Sequence, residues 1–152
     1  MNISQFLDHR DIPYRRVDHR PAFTAQRLAQ AVHCSGEMVA KTVLLKVDDG
    51  FVLAVLPATH HVDLLRVQVF LGAHHVDLAN ERECGHHFKD CELGAMPPFG
   101  SHYGIRSMID DSLVGEDEII FAGNKHDEAI QMEMCNYLAL EDPIVAAFSH
   151  HV

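Results

Sequence analysis

Thr42-Val43-Leu44-Leu45-Lys46-Val47-Asp48-Asp49-Gly50-Phe51-Val52-Leu53-Ala54-Val55-Leu56 decides the fold. The runs Thr42–Val47 and Phe51–Leu56 are rich in β-branched and apolar residues, the composition of strands. Asp49-Gly50 lies between them and favours a tight turn, so the segment reads as a β-hairpin. Both runs are nearly continuous in apolar character rather than alternating. A strand of that kind needs cover on both faces, which places the pair centrally in a sheet.

Helical periodicity appears on either side of the hairpin. Ile3, Phe6 and Leu7 share one helical face, predicting a first helix over residues 3–10. Ile12–Val17 reads as a short strand. Thr24 is a good N-cap for a helix whose stripe is Ala25, Leu28, Ala29 and Val32, ending near Cys34-Ser35-Gly36. Beyond the hairpin, residues 62–71 favour a helix started by Asp63, Val76–Ala79 a brief strand, and Asn80 caps a helix toward His87. Ile105–Ile109 and Glu118–Ala122 read as a strand pair. Gly123-Asn124 makes a turn, Ala129–Met134 returns as a strand, and Asn136–Leu140 forms a short helix before Pro143. Helices and strands mix without strict β-α-β alternation. The expectation is therefore an α+β domain, with a curved, mixed sheet flanked by helices.

A chain of 152 residues fits one domain spanning 1–152. No stretch approaches a membrane span, and the start Met1-Asn2-Ile3-Ser4-Gln5 lacks a signal peptide's basic and apolar regions. A cytoplasmic location without membrane association is the expectation. Cys34, Cys84, Cys91 and Cys135 are scattered unlike a disulfide framework, which suits a reducing compartment. The formal net charge of −10 argues against a protein that grips nucleic acid through a broad basic surface, and duplex DNA is not an expected partner, although a small basic pocket remains compatible.

The second informative stretch is Gly94-Ala95-Met96-Pro97-Pro98-Phe99-Gly100. Each proline fixes φ and removes an N–H, so the segment is neither helix interior nor central strand. It should be a stiff loop whose remaining amides lack helix or sheet partners. They either meet water, making the loop a connector, or point at a ligand carbonyl or oxyanion. Lys41, at the start of the hairpin, has a similar pair of readings. It is a strand-edge lysine in solvent, or a single cation at the mouth of a pocket. Cys84, His86, His87 and Cys91 are metal-binding residue types, but six residues separate the cysteines and no second pair at zinc spacing completes a site. No metal or cofactor is expected. Cys34 or Cys91 could act as a nucleophile only beside a histidine. No nucleophile elbow, Walker loop, dinucleotide fingerprint or metalloprotease motif occurs.

Three pieces fall into order: Thr24-Ala25 at a helix start, Val39-Ala40-Lys41-Thr42 at the hairpin, and Gly94–Gly100 followed by strands ending in Phe121-Ala122-Gly123-Asn124. In this order and spacing the chain resembles the YbaK/prolyl-tRNA synthetase-associated domain family from about residue 3 to about 140. The resemblance implies a compact domain around a curved, mixed sheet. It also implies metal-independent hydrolysis, in trans, of the ester joining an amino acid to the tRNA 3′ end. By the same resemblance, Lys41 matches the family's essential lysine. Gly94, Ala95, Met96, Pro97, Pro98, Phe99 and Gly100 match its glycine/proline loop, with backbone donors near the scissile carbonyl. Thr24, Gly123 and Asn124 fall at the helix start and late turn that line its pocket. His60, His61 and His126 are general-base candidates by residue type alone. The acidic net charge makes a synthetase the expected delivery partner. The alternative function is a non-catalytic module of the same fold that binds a nucleotide or oligonucleotide end.

Overall fold

The computed structural model describes all of residues 1–152. In chain order the first half runs α1 (Ile3–His9), β1 (Arg15–Asp18), α2 (Ala25–Ala31), β2 (Ala40–Val47), β3 (Gly50–Pro57), β4 (His60–Val62) and α3 (Leu64–Leu71). The second half runs β5 (Val76–Leu78), α4 (Glu81–His87), a 3₁₀ turn (Gly100–Tyr103), β6 (Arg106–Asp110), α5 (Asp111–Val114), β7 (Glu118–Ala122), β8 (Glu128–Glu133), α6 (Met134–Glu141), β9 (Ile144–Ala146) and β10 (Ser149–His151).

The hairpin lies at the centre, as its apolar runs require. β2 and β3 pair antiparallel from Ala40 opposite Pro57 to Val47 opposite Gly50. They are the inner strands of a five-stranded sheet ordered β5-β2-β3-β6-β9. β5 joins β2 antiparallel, whereas β6 joins β3 and β9 joins β6 in parallel, so the sheet is mixed. Because Val47 pairs with Gly50, the turn residues are Asp48-Asp49, one place earlier than the Asp-Gly signal suggests. Asp48 takes the positive φ of 50°, and its carboxylate accepts the amides of His74 and His75. A short polar side chain tolerates that conformation better than most, so glycine is not needed there.

A second, antiparallel sheet has the order β1-β8-β7. A single parallel bridge between Val39 and Ile120 connects it to the first, just where β2 begins. The Ile105–Ile109 and Glu118–Ala122 regions are therefore strands but not partners. β6 lies beside β3, and the short α5 turns the chain away before β7 enters the other sheet. β1 starts at Arg15 rather than Ile12, since Pro13 has no N–H to give a ladder and Ile12 packs against the core instead. β4 and β10 form a third, two-stranded ribbon, with His61 opposite His150 and His60 opposite His151. Together these elements make a single mixed α/β domain.

The buried stripe of α1, Ile3, Phe6 and Leu7, enters the largest core cluster beside Phe99, Phe121 and Tyr137. Burial of each such side chain is worth about 1.5–3 kcal/mol. α2 packs Leu28 and Ala29 against Val39, Ile120 and Ala129. This second cluster fixes the N-terminal turn of α2 beside the first residues of β2, where the two sheets meet. No helix is long and apolar enough to cross a membrane.

Candidate active site

A small, partly enclosed pocket of about 60 Å³ opens at that junction. α2 contributes Thr24, Ala25 and Leu28, and β2 contributes Ala40, Lys41 and Thr42. The segment after β1 adds His19 and Ala22, the glycine/proline loop adds Gly94 and Met96, and the end of β7 with its following turn adds Ala122, Lys125 and His126. Of the residues singled out in the sequence, Thr24, Lys41, Gly94, Met96 and His126 thus line one pocket. Ala95, Pro97, Pro98, Phe99, Gly100, Gly123 and Asn124 do not line it.

Lys41 is half-buried, and its Nζ donates to His60 O at 3.1 Å. No carboxylate lies within ion-pair distance of it. Burial without a counter-charge lowers its pKa from the ordinary lysine value. One ammonium hydrogen is spent on the carbonyl, which leaves two for an anionic or carbonyl oxygen in the pocket. Thr24 caps α2 by accepting the amide of Arg27 at 3.1 Å, so its hydroxyl hydrogen is free to donate elsewhere.

The glycine/proline loop divides its amides in two. Ala95 N–H donates to Glu92 O, Phe99 N–H to Pro97 O, and Gly100 N–H to Ser107 Oγ at 3.0 Å. These donors are satisfied inside the loop and its supports, which corrects the expectation that every amide from Gly94 to Gly100 stands without a partner. Gly94 and Met96 are the two whose N–H groups have no protein acceptor, and both line the pocket. Gly94 holds a φ of 87°, in the left-handed region that favours glycine. Gly100 serves packing instead, because a Cβ there would lie 2.5 Å from Ile105 O. Residues 95–100 are buried, Pro98 O accepts Tyr137 Oη at 2.6 Å, and Glu141 accepts the hydroxyls of Ser101 and Ser107. The loop is a braced wall.

Asn124 is buried, with a left-handed φ of 74°. Its Oδ1 accepts Ile3 N–H at 3.0 Å, while its Nδ2 donates to Cys91 Sγ at 3.2 Å and Tyr103 Oη at 3.3 Å. Its backbone donates to Ala95 O and accepts from Glu92 N. It therefore links α1, the loop and the late turn, with its side chain committed to those partners.

Two histidines that carry no spacing signal complete the lining. His126 approaches Ala22 O through Nδ1 at 3.3 Å. A carbonyl only accepts, so Nδ1 carries the proton, and in the neutral ring Nε2 presents a lone pair. His19 does the same through Nδ1 to Arg20 O at 2.6 Å, and its Nε2 is buried without any partner. By contrast His60 faces Ser149 and Glu37, and His61 is exposed on β4. Of the three histidines singled out by residue type, His60, His61 and His126, only His126 lines the pocket. Nothing in composition or spacing marked His19.

The cysteine and histidine cluster does not assemble. Cys91 turns toward Tyr103 and Asn124, and His87 stacks on Phe51 with ring centroids 4.4 Å apart. Nowhere do three or more His, Cys, Asp or Glu side chains gather as a metal site would require. Burial pushes the Cys91 thiol up to about 11, so it is protonated at neutral pH and is no nucleophile.

Residues 19–140, which include the whole pocket lining, match the aminoacyl-tRNA editing domain family. A similar protein is the multifunctional Ser/Thr-tRNA deacylase ProXp-y of Escherichia coli strain K12, 25% identical over 147 residues, covering 93% of this chain and 87% of that one. The proline–tRNA ligase of Bacillus subtilis strain 168 is 29% identical over 104 residues, 68% of this chain but 18% of the ligase. Among solved structures, a candidate trans-editing enzyme for prolyl tRNA synthetase superposes with a TM-score of 0.85 at 22% identity, covering 97% of this chain and 94% of that one. That last likeness is one of fold. With its fold, its pocket and a family match over most of its length, the chain belongs to the aminoacyl-tRNA editing domain family.

Proposed function

We propose that this protein is an aminoacyl-tRNA deacylase that hydrolyses the ester of mischarged tRNA in trans. The observation that carries this reading is the convergence, in one small pocket, of the uncompensated Lys41 ammonium, the two free amides of Gly94 and Met96, and the bare Nε2 of His126. Lys41 holds an oxygen of the terminal phosphate or ribose. The acyl carbonyl lies toward Gly94 and Met96. Water attacks the carbonyl carbon and its proton passes to His126 Nε2. The tetrahedral oxyanion accepts hydrogen bonds from the two amides, an arrangement in which each donor is typically worth about 10²–10³ in rate. Collapse breaks the bond to the ribose oxygen, which takes the proton back from His126. The products are a free amino acid and a tRNA with a free 3′-terminal hydroxyl.

The acidic net charge disfavours unaided capture of tRNA, and a synthetase is the partner that delivers the substrate. The test is release of amino acid from a panel of mischarged tRNAs, with and without synthetases. Multiple turnovers on at least one tRNA are expected. Stoichiometric binding without turnover on any of them would favour the binding-module alternative.

A further inference from the structure

We propose that Phe23 is the platform on which the 3′-terminal nucleobase of the substrate stacks. This rests on the deacylase reading and adds the nucleobase contact to it. The pocket's interior of about 60 Å³ suits a small acyl group but does not hold a purine as well. A terminal nucleoside attached to that acyl group must therefore lie outside, on the rim. No phenylalanine or tyrosine lines the interior. Phe23 sits between the lining residues Ala22 and Thr24, and 67% of it is exposed. Leu93, before the lining residue Gly94, is also exposed but aliphatic, and the exposed apolar residues of α3 and of the edge strands β5 and β9 do not line this pocket.

The ring of Phe23 is held in place. Its centroid lies 4.6 Å from that of His126 at an interplanar angle of 46°. Its backbone is pinned on both sides. Ala22 N–H donates to His126 O at 2.8 Å, His126 Nδ1 donates to Ala22 O, and Thr24 caps α2. The free face of a fixed aromatic ring at a pocket mouth suits a stacked base, a contact tolerant of base identity. Lys125, a lining residue beside His126, carries no ion-paired carboxylate and adds positive charge at the same rim. A single-stranded RNA end needs this combination of a stacking surface and positive charge for its backbone.

The experiment measures binding of the uncleavable alanyl amide of 3′-amino-3′-deoxyadenosine 5′-monophosphate, and of the same amide on a ribose lacking the base. The protein is used intact, as wild type and as Phe23→Ala, Phe23→Leu and Phe23→Trp. Exposure of Phe23 leaves the fold insensitive to these changes, which circular dichroism checks. The expected result is that Phe23→Ala and Phe23→Leu each raise Kd about 5- to 100-fold for the adenosine amide, Phe23→Trp preserves it, and none changes the base-free amide. Free adenosine 5′-monophosphate should bind far more weakly than the amide. Equal wild-type binding of the two amides, no binding of either, or a leucine variant as good as tryptophan would overturn the proposal. Base-dependent binding with no deacylation of any tRNA would instead sink the deacylase reading and leave the platform standing. Deacylation unchanged in Phe23→Ala would do the reverse.

Discussion

His126 stands against Gly94: a Cβ added to Gly94 would lie 3.6 Å from His126 Cε1, an ordinary van der Waals contact. The candidate base and one of the two free amides are thus immediate neighbours across the pocket. Space alone does not forbid alanine at position 94, but its φ of 87° does. Gly94→Ala should cost about 1–2 kcal/mol of stability through the left-handed backbone and lower kcat about 100-fold by shifting the amide. Urea denaturation and single-turnover deacylation measure the two effects separately.

His126→Ala should lower kcat about 10²–10⁴-fold, the range for loss of a general base. The same change in His60 should leave kcat within a few-fold, because that ring is directed at Ser149 and Glu37 outside the pocket. Equal losses in both variants, measured on one mischarged tRNA, would remove His126 from the role of base.

Asn124→Ala should act on stability more than on chemistry. It leaves the Ile3 amide without its acceptor and places alanine at a φ of 74°. A loss of about 2–4 kcal/mol is expected in denaturant unfolding. The fraction that remains folded should keep a kcat within a few-fold of wild type. A large loss of kcat with unchanged stability would instead show Asn124 acting on the substrate.

Cys91 offers a test by pH. Burial raises its thiol to about 11, so thiolate is scarce at neutrality and grows as pH rises toward that value. Alkylation by iodoacetamide should be slow at pH 7.5 and accelerate steadily up to pH 10. Cys91→Ser should retain deacylation within a few-fold, since a hydroxyl can still accept from Asn124 Nδ2. Loss of turnover comparable to that of Lys41→Ala would return the thiol to the reaction.

Much of the fold was legible because the hairpin declares itself. Continuous apolar runs at Val43–Leu45 and Val52–Leu56 admit one environment, the middle of a sheet. Capping residues were also readable: Thr24, Asp63 and Asn80 each accept an amide at a helix start. What stayed hidden was set by long-range pairing. β4, β9 and β10 have three residues each, too few for periodicity to show, and two of them carry consecutive histidines. The loop shows the same limit. Its glycines and prolines predict rigidity, but Ser107, Glu141 and Tyr137, which brace it, come from elements later in the chain. Only the structure separates the two free amides from those already bonded. His19 and His126 enter the pocket by tertiary placement, for which a single histidine in a sequence offers no spacing.

The central claim is that the Lys41 ammonium positions an aminoacyl ester for hydrolysis. Half-burial without a counter-charge makes Lys41 a cost to the fold while it is charged, and its lowered pKa expresses that cost. Below that lowered pKa the cost is fully present, and it is relieved as pH rises toward the unfolded value. Lys41→Ala and Lys41→Met should therefore fold normally, with a Tm at neutral pH no lower than wild type for the methionine variant. The most direct measurement is the single-turnover deacylation rate of wild type and these two variants on a mischarged tRNA that the wild type clears. The account predicts a loss of at least about 100-fold in both variants with an intact fold. Wild-type rates in either would contradict it.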